Sequence, residues 1–219
     1  MSTERGSSPE REPLTTRTID GFSRALAAKV PVPGGGGAAA YAGALSAALA
    51  AMVANYTVGK RRYREHEDDV RRVLLDAERL RERLVLLVDE DAAAFEPLSA
   101  AYGIPKEDPS RDAVLDRAVQ GALLCPLEMM RAAAAVIPLL EELAEKGSVL
   151  LVSDVGCGAI LARAALESAA LNVLVNTRAL RDRARATEVE RECDELLGTW
   201  APRAQSVSRL VFSRLRERG

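Results

Sequence analysis

The stretch PVPGGGGAAAYAGALSAALAAMVANYTVGK, Pro31 to Lys60, decides the fold. Pro33 and the four glycines Gly34 to Gly37 form a turn that opens into small and apolar residues, with no charge until Lys60. Consecutive glycines lose much backbone entropy on folding, so a chain that keeps four of them needs φ > 0 or close approach to the backbone. Ala is the strongest helix former, so Ala38 to Gly59 reads as a helix whose first-turn N–H groups are free at the glycine loop. Such an end attracts carboxylates or phosphates. A plain tight turn feeding a helix that packs closely through Gly43 fits the same spacing.

Outward from this stretch the helical signals recur and no strand alternation competes with them. Asp20 opens a first helix to Lys29, and an amphipathic segment runs from Arg62 to Tyr102, ending at Gly103 with Pro105 beyond. Further helices are expected over Ser110–Leu124, Pro126–Lys146 and Ser153–Leu180. The last starts at Thr187, where Glu190 completes a capping box. Pro138 and Pro202 are expected to kink their helices or mark breaks. The fold class is all-α: a multihelical bundle with long helices, expected as an intertwined homodimer because Val70, Val73, Ala77, Leu80, Leu84 and Leu87 form a helix-facing seam.

The 219 residues suffice for a substantial core. Residues 1–17 are polar, charged and without apolar period, and read as a disordered tail, leaving 18–219 as one helical domain. No secretory leader is visible. Three widely spaced cysteines, Cys125, Cys157 and Cys193, match neither a disulfide framework nor a zinc site and point to a reduced, cytoplasmic protein. A net charge of −2 gives no support for nucleic-acid binding. The charge-free run is long enough to cross a membrane, but its Ala, Gly, Ser, Asn and Thr content suits a buried helix, so no membrane partner is expected.

Two constellations carry candidate chemistry. Asp91 continues the apolar seam of the long third helix, and a buried carboxylate is costly unless it is paired or faces a wet pocket. In the helix from Ser153, that serine is the expected N-cap, which places Asp154 in the first turn where the dipole favours a carboxylate. Ser168, Asn172 and Asn176 share one polar stripe. Asp154 and Asn172 point the same way but stand roughly 27 Å apart along the axis. Either they serve two ends of a long ligand, or another subunit supplies one of them; the asparagines also suit interhelical hydrogen bonds. The single histidine, His66, lies in a charged segment and reads as a surface residue, so a Ser-His-Asp mechanism is not expected. No metal-ligand spacing is present. Asp, Lys, Asn and backbone N–H groups remain, a set suited to a substrate that is already electrophilic and needs positioning and proton transfer.

The sequence as a whole resembles the formiminotetrahydrofolate cyclodeaminase / methenyltetrahydrofolate cyclohydrolase family. The resemblance lies in four ordered stretches: Val30 to Tyr63, VDEDAAAFEPLSAAYGIPK (Val88–Lys106), CPLEMMR (Cys125–Arg131) and SDVGCGAILARAALESAALNVLVN (Ser153–Asn176). It implies a dimer built through long helices, a tetrahydrofolate derivative as substrate, and no bound cofactor or metal. The cyclodeaminase closes 5-formiminotetrahydrofolate to 5,10-methenyltetrahydrofolate with loss of ammonia. The cyclohydrolase opens the methenyl bridge with water to 10-formyltetrahydrofolate. With no separate formiminotransferase domain in this length, the cyclohydrolase is the favoured expectation. The cyclodeaminase and a non-catalytic ligand-binding or scaffold dimer of the same fold are the alternatives. Asp154 and then Asp91 are the catalytic candidates for proton transfer. Pro33, Gly34, Gly35, Gly36, Gly37, Asn55, Lys60, Asn172 and Asn176 are the substrate-binding candidates. Of these, Lys60 and the glycine N–H groups suit the carboxylates of the benzoylglutamate tail; Lys60 is equally an ordinary C-cap cation. One departure stands out: the family's loop ends in Ser where this chain has Gly37, an acceptable N-cap in its own right.

Overall fold

The computed structural model describes residues 12–217, and among them six α-helices and no strand. They are α1 (Ile19–Ala27), α2 (Gly35–Thr57), α3 (Glu67–Tyr102), α4 (Arg111–Lys146), α5 (Val152–Ala179) and α6 (Arg183–Glu217). A 3-10 turn at Leu14–Thr16 precedes α1, and others at Arg61–His66 and Val149–Leu151 lead into α3 and α5.

Helix α2 lies between α3 and α5, while α4 packs on both and α6 closes the far side of α5. The directions follow from which residues meet. Gly36 faces Asp91 and Gly43 faces Leu84, so α2 and α3 are antiparallel; Gly35 faces Asn172 and Ser46 bonds Gly158, so α2 and α5 are too. The glycines and alanines of α2 make this possible. A Cβ at Gly43 would fall 3.0 Å from Leu84 on one side and 3.4 Å from Ala165 on the other. The polar groups buried with α2 are satisfied locally. Ser46 Oγ donates to the Gly158 carbonyl at 2.8 Å, and Thr57 Oγ1 donates to Val53 O while accepting from the Ser148 N–H.

Several sequence expectations change in detail. The segment 110–146 is one helix rather than two, running through Pro126 and Pro138. Burial of its apolar face outweighs the local penalty of proline. The final helix starts at Arg183 because Asp182, not Thr187, caps it: its carboxylate accepts the Arg185 N–H at 2.9 Å and its carbonyl the Ala186 N–H. Thr187 instead bonds back to Arg183 O. Helix α5 begins at Val152, so Ser153 lies inside the first turn rather than at its cap. Of the expected tail, residues 1–11 lie outside the described residues; the rest is docked, not trailing. Leu14 is buried, its N–H donates to Asp89 Oδ1 at 2.6 Å, and Thr15 Oγ1 donates to the other oxygen. The seam of α3 is as expected, with Val70, Val73, Ala77, Leu84 and Leu87 buried and Leu80 partly so.

By length and hydropathy α2, α4 and the segment Val149–Ala179 would each span a membrane. Their most apolar windows are 61, 67 and 44 % buried within the protein, so α5 is the least covered of the three. Gly43→Val overfills the α2 seam and is expected to cost about 1–3 kcal/mol in urea unfolding. Gly121, exposed in α4 with nothing near its missing Cβ, is the control: Gly121→Ala is expected to gain ~0.5–1 kcal/mol.

Candidate functional site

The glycine loop, the C-terminal half of α3, the N-terminal half of α4 and the C-terminal end of α5 meet at one end of the bundle. They enclose an open pocket of about 270 Å³, lined among others by Gly34, Gly35, Gly36, Asp91, Asn172 and Asn176. Six of the candidate residues are thus brought together from three separate segments. Pro33 and Gly37 sit just behind the lining, Pro33 and Gly37 both buried.

Helix α2 starts with Gly34 as N-cap, in extended conformation, whose carbonyl accepts the Ala38 N–H at 3.1 Å. No glycine of the loop has positive φ. The need for glycine is close approach, and it falls on Gly36: a Cβ there would lie 2.6 Å from Asp91 Cγ. The Asp91 carboxylate therefore rests directly on the first turn of α2, where it accepts the Gly37 N–H. Burial pushes its carboxyl above the usual carboxylate range, and the Gly37 N–H only partly offsets this. Gly37 is the third residue of the helix, not its cap. A side chain there would meet Pro33 and Val88 at ordinary contact distances of 3.5 and 3.8 Å, so a serine would fit.

The two asparagines are oriented by groups that can only accept. Pro126 has no N–H, which leaves the Ala122 carbonyl one turn earlier without its helical partner. Asn176 Nδ2 fills that role at 3.0 Å. Asn172 Nδ2 donates to Ser168 O at 2.9 Å. Each amide thus keeps its Oδ1 as the uncommitted acceptor. Asp91 is the sole titratable residue among those lining the pocket, and no lysine or arginine lines it. The pocket therefore carries one negative charge and no positive side chain, which suits a cationic ligand. The neighbouring Cys125 thiol is pushed up to about 11, first by burial and then by the Asp91 charge, and stays protonated at neutral pH. The value of Pro126 was not read from the sequence. The pairing of a mid-helix proline with an asparagine elsewhere is a signal, but only the fold tells which asparagine reaches it.

The remaining candidates lie at the opposite end of the bundle. Asn55 and Lys60 are exposed at the C-terminal end of α2, and Asp154 is half-buried in the first turn of α5. Antiparallel packing of α2 and α5 places all three together there, a helix length from Asp91. Within one chain, Asp154 and Lys60 do not take part in the glycine-loop pocket. His66 is also at that end, 3.4 Å from Glu65. Among the described residues no group of His, Cys, Asp and Glu is arranged to hold a metal ion.

Residues 18–195 match the family model described as formiminotransferase-cyclodeaminase. A methenyltetrahydrofolate cyclohydrolase of Methylorubrum extorquens is 45% identical over 184 residues, which cover 82% of this chain and 88% of that protein. The formimidoyltransferase-cyclodeaminase of Mus musculus is 33% identical over 80% of this chain, which spans only 33% of that longer protein. The crystal structure of formiminotetrahydrofolate cyclodeaminase from Thermotoga maritima superimposes with a TM-score of 0.84 at 28% identity, covering 91% of this chain and 98% of that one.

Asn176→Ala leaves the Ala122 carbonyl unpaired and is expected to cost about 1–3 kcal/mol of stability. Asp91 behaves in the opposite sense. Its raised folded-state value means that its ionised form costs stability at neutral pH, a cost that disappears as pH falls towards 3.8 and the group is protonated in both states. Asp91→Asn is thus expected to melt no lower than wild type at neutral pH. Any advantage should shrink on acidification, as followed by thermal unfolding across pH.

Proposed function

Because the chain belongs to the formiminotransferase-cyclodeaminase family, we propose that it hydrolyses 5,10-methenyltetrahydrofolate to 10-formyltetrahydrofolate, with Asp91 as the proton-transfer group. The observation that carries this is the half-buried Asp91 carboxylate seated on the glycine turn, in a pocket lined by no other titratable group. The methenyl bridge is an amidinium cation, so the substrate brings the positive charge that the pocket lacks. The 45% identity to a methenyltetrahydrofolate cyclohydrolase over nearly its full length supports the same reaction.

The chemistry follows from the donor set. Water adds to the bridging carbon and gives one proton to Asp91, whose raised proton affinity makes it a better base than an ordinary aspartate. The resulting tetrahedral carbon carries a hydroxyl and bonds to both nitrogens. Asp91 returns its proton to N5 as the C–N5 bond breaks, and loss of the hydroxyl proton leaves the formyl group on N10. The Oδ1 atoms of Asn172 and Asn176 accept N–H groups of the pterin and orient it. No bound cofactor enters this scheme. The protein acts as a homodimer, supported by the apolar surface left open along α5, and in the cytoplasm, supported by three unpaired cysteines.

A cyclodeaminase activity is the second reading, favoured by the Thermotoga maritima structure. It uses the same pocket, with ammonia rather than a ring nitrogen as the leaving group. The experiment follows the near-ultraviolet absorbance of 5,10-methenyltetrahydrofolate. Its catalysed loss, and a fall of about 10²–10⁴-fold in rate for Asp91→Asn without a lower melting temperature, are expected. Ammonia release from the 5-formimino compound with no ring opening would move the assignment to the cyclodeaminase. Binding without turnover of either would make the protein a ligand binder.

A further inference from the structure

The glycine-loop pocket exists because α2 stops short of its neighbours. Helix α2 lies between α3 and α5 and begins at Gly35, whereas both flanking helices, antiparallel to it, continue past that point. The space between their extensions forms the pocket, with Ala122 and Pro126 of α4 completing the lining. The side chains that face this space come in two tiers. The first is level with the start of α2: Asp91 stands over Gly36, and Asn172 beside Gly35. The second lies one helical turn further out on each wall, roughly 6 Å along the axis, with Phe95 on α3 and Asn176 on α5. A spacing of four residues keeps the two members of each wall on one helix face. Phe95 is the one aromatic side chain among the described residues that line the pocket, half-buried and packed against the core. Val175, beside Asn176 on the other wall, is 68% exposed.

The outer tier suits a flat ring. Phe95 offers a π face and Val175 an apolar surface from the other wall. Asn176 adds an acceptor, because its Nδ2 is committed to Ala122 O at 3.0 Å and only Oδ1 is left for a ligand. An aromatic face with an acceptor at its edge selects a planar heterocycle that carries N–H groups on its rim. Of the two ring systems in the proposed substrate, the pterin alone meets this. The benzoyl ring has no N–H in its rim, and it carries the glutamate carboxylates, which no lysine or arginine lining the pocket neutralises beside Asp91. We propose that Phe95 stacks on the 2-amino-4-oxopyrimidine ring of the tetrahydropterin while Asn176 Oδ1 accepts an N–H from the edge of that ring. The outer tier is then the pterin subsite, and the inner tier holds the reacting carbon. The one-turn offset between tiers is on the scale of the single ring that separates the pyrimidine from the methenyl bridge. Phe95 touches no reacting atom; it selects the ring and fixes the position of the bridge over Asp91.

The inference rests on the pocket being the folate site, so it is read both with and without turnover. Phe95→Leu keeps an apolar wall and removes the ring face. Its KM for 5,10-methenyltetrahydrofolate is expected to rise about 3–10-fold with kcat nearly unchanged, the mark of lost uniform binding, and Phe95→Tyr to restore it. A merely structural role lowers the melting temperature without that split and does not distinguish the two halves of the substrate. Tetrahydropterin and p-aminobenzoylglutamate distinguish them. In calorimetry under nitrogen, Phe95→Leu is expected to weaken tetrahydropterin by the same factor as KM and to leave p-aminobenzoylglutamate unchanged. Equal tetrahydropterin affinity in wild type and Phe95→Leu, or a loss confined to p-aminobenzoylglutamate, overturns the pterin subsite and leaves the hydrolysis standing. A wild type that neither turns over a folate nor binds tetrahydropterin overturns the pocket reading and the subsite together. Tetrahydropterin binding that depends on Phe95, without turnover, upholds the subsite and overturns the hydrolysis alone. If Phe95→Leu does not fold, Phe95→Met carries the same comparisons.

Discussion

The structure depends on how closely two helices approach a third. Helix α2 is buried along most of its length yet offers almost no side chain to bury, and its Gly and Ala surface lets the backbones of α3 and α5 come in from either side. Leu84 fills the space over Gly43, and Ser46 reaches a backbone carbonyl of α5 directly. A larger residue at these positions would move α3 and α5 apart, and the groups at their ends would separate with them.

The chemistry is placed by that same proximity. At the start of α2 the missing Cβ of Gly36 is replaced by the Asp91 carboxylate, seated on the first turn of the helix, half-buried and with no lysine or arginine beside it in the pocket. Partial compensation of this kind raises the carboxyl's affinity for a proton, the property on which the proposed proton-transfer role of Asp91 rests. Across the pocket, a proline in α4 removes one donor and an asparagine in α5 restores it. The backbone vacancy thereby fixes which amide atom faces the ligand.

Antiparallel packing also divides the polar residues of each helix between two ends. The α5 helix carries Asn172 and Asn176 to the pocket and Asp154 to the other end; α2 does the same with its glycines and with Lys60.

The sequence by itself determined the helical class, the entry of α2 at the glycine run, the buried seam of α3 and the presence of a carboxylate at Asp91 on that seam. These are local properties: propensity, period and the conflict between one charge and its apolar neighbours are all written within a few turns. The family resemblance likewise followed from order and spacing along the chain. What the sequence left open was which candidates share a site. Helix start points shifted where a cap one turn away competed better, as Asp182 did over Thr187. Asp154, in the first turn of its helix, stood ahead of Asp91 as the proton-transfer candidate. The tertiary structure places Asp91 in the glycine-loop pocket and Asp154 at the opposite end of the bundle, because the distance between residues on different helices is set by packing direction. No local pattern says which end of one helix lies beside which end of the next.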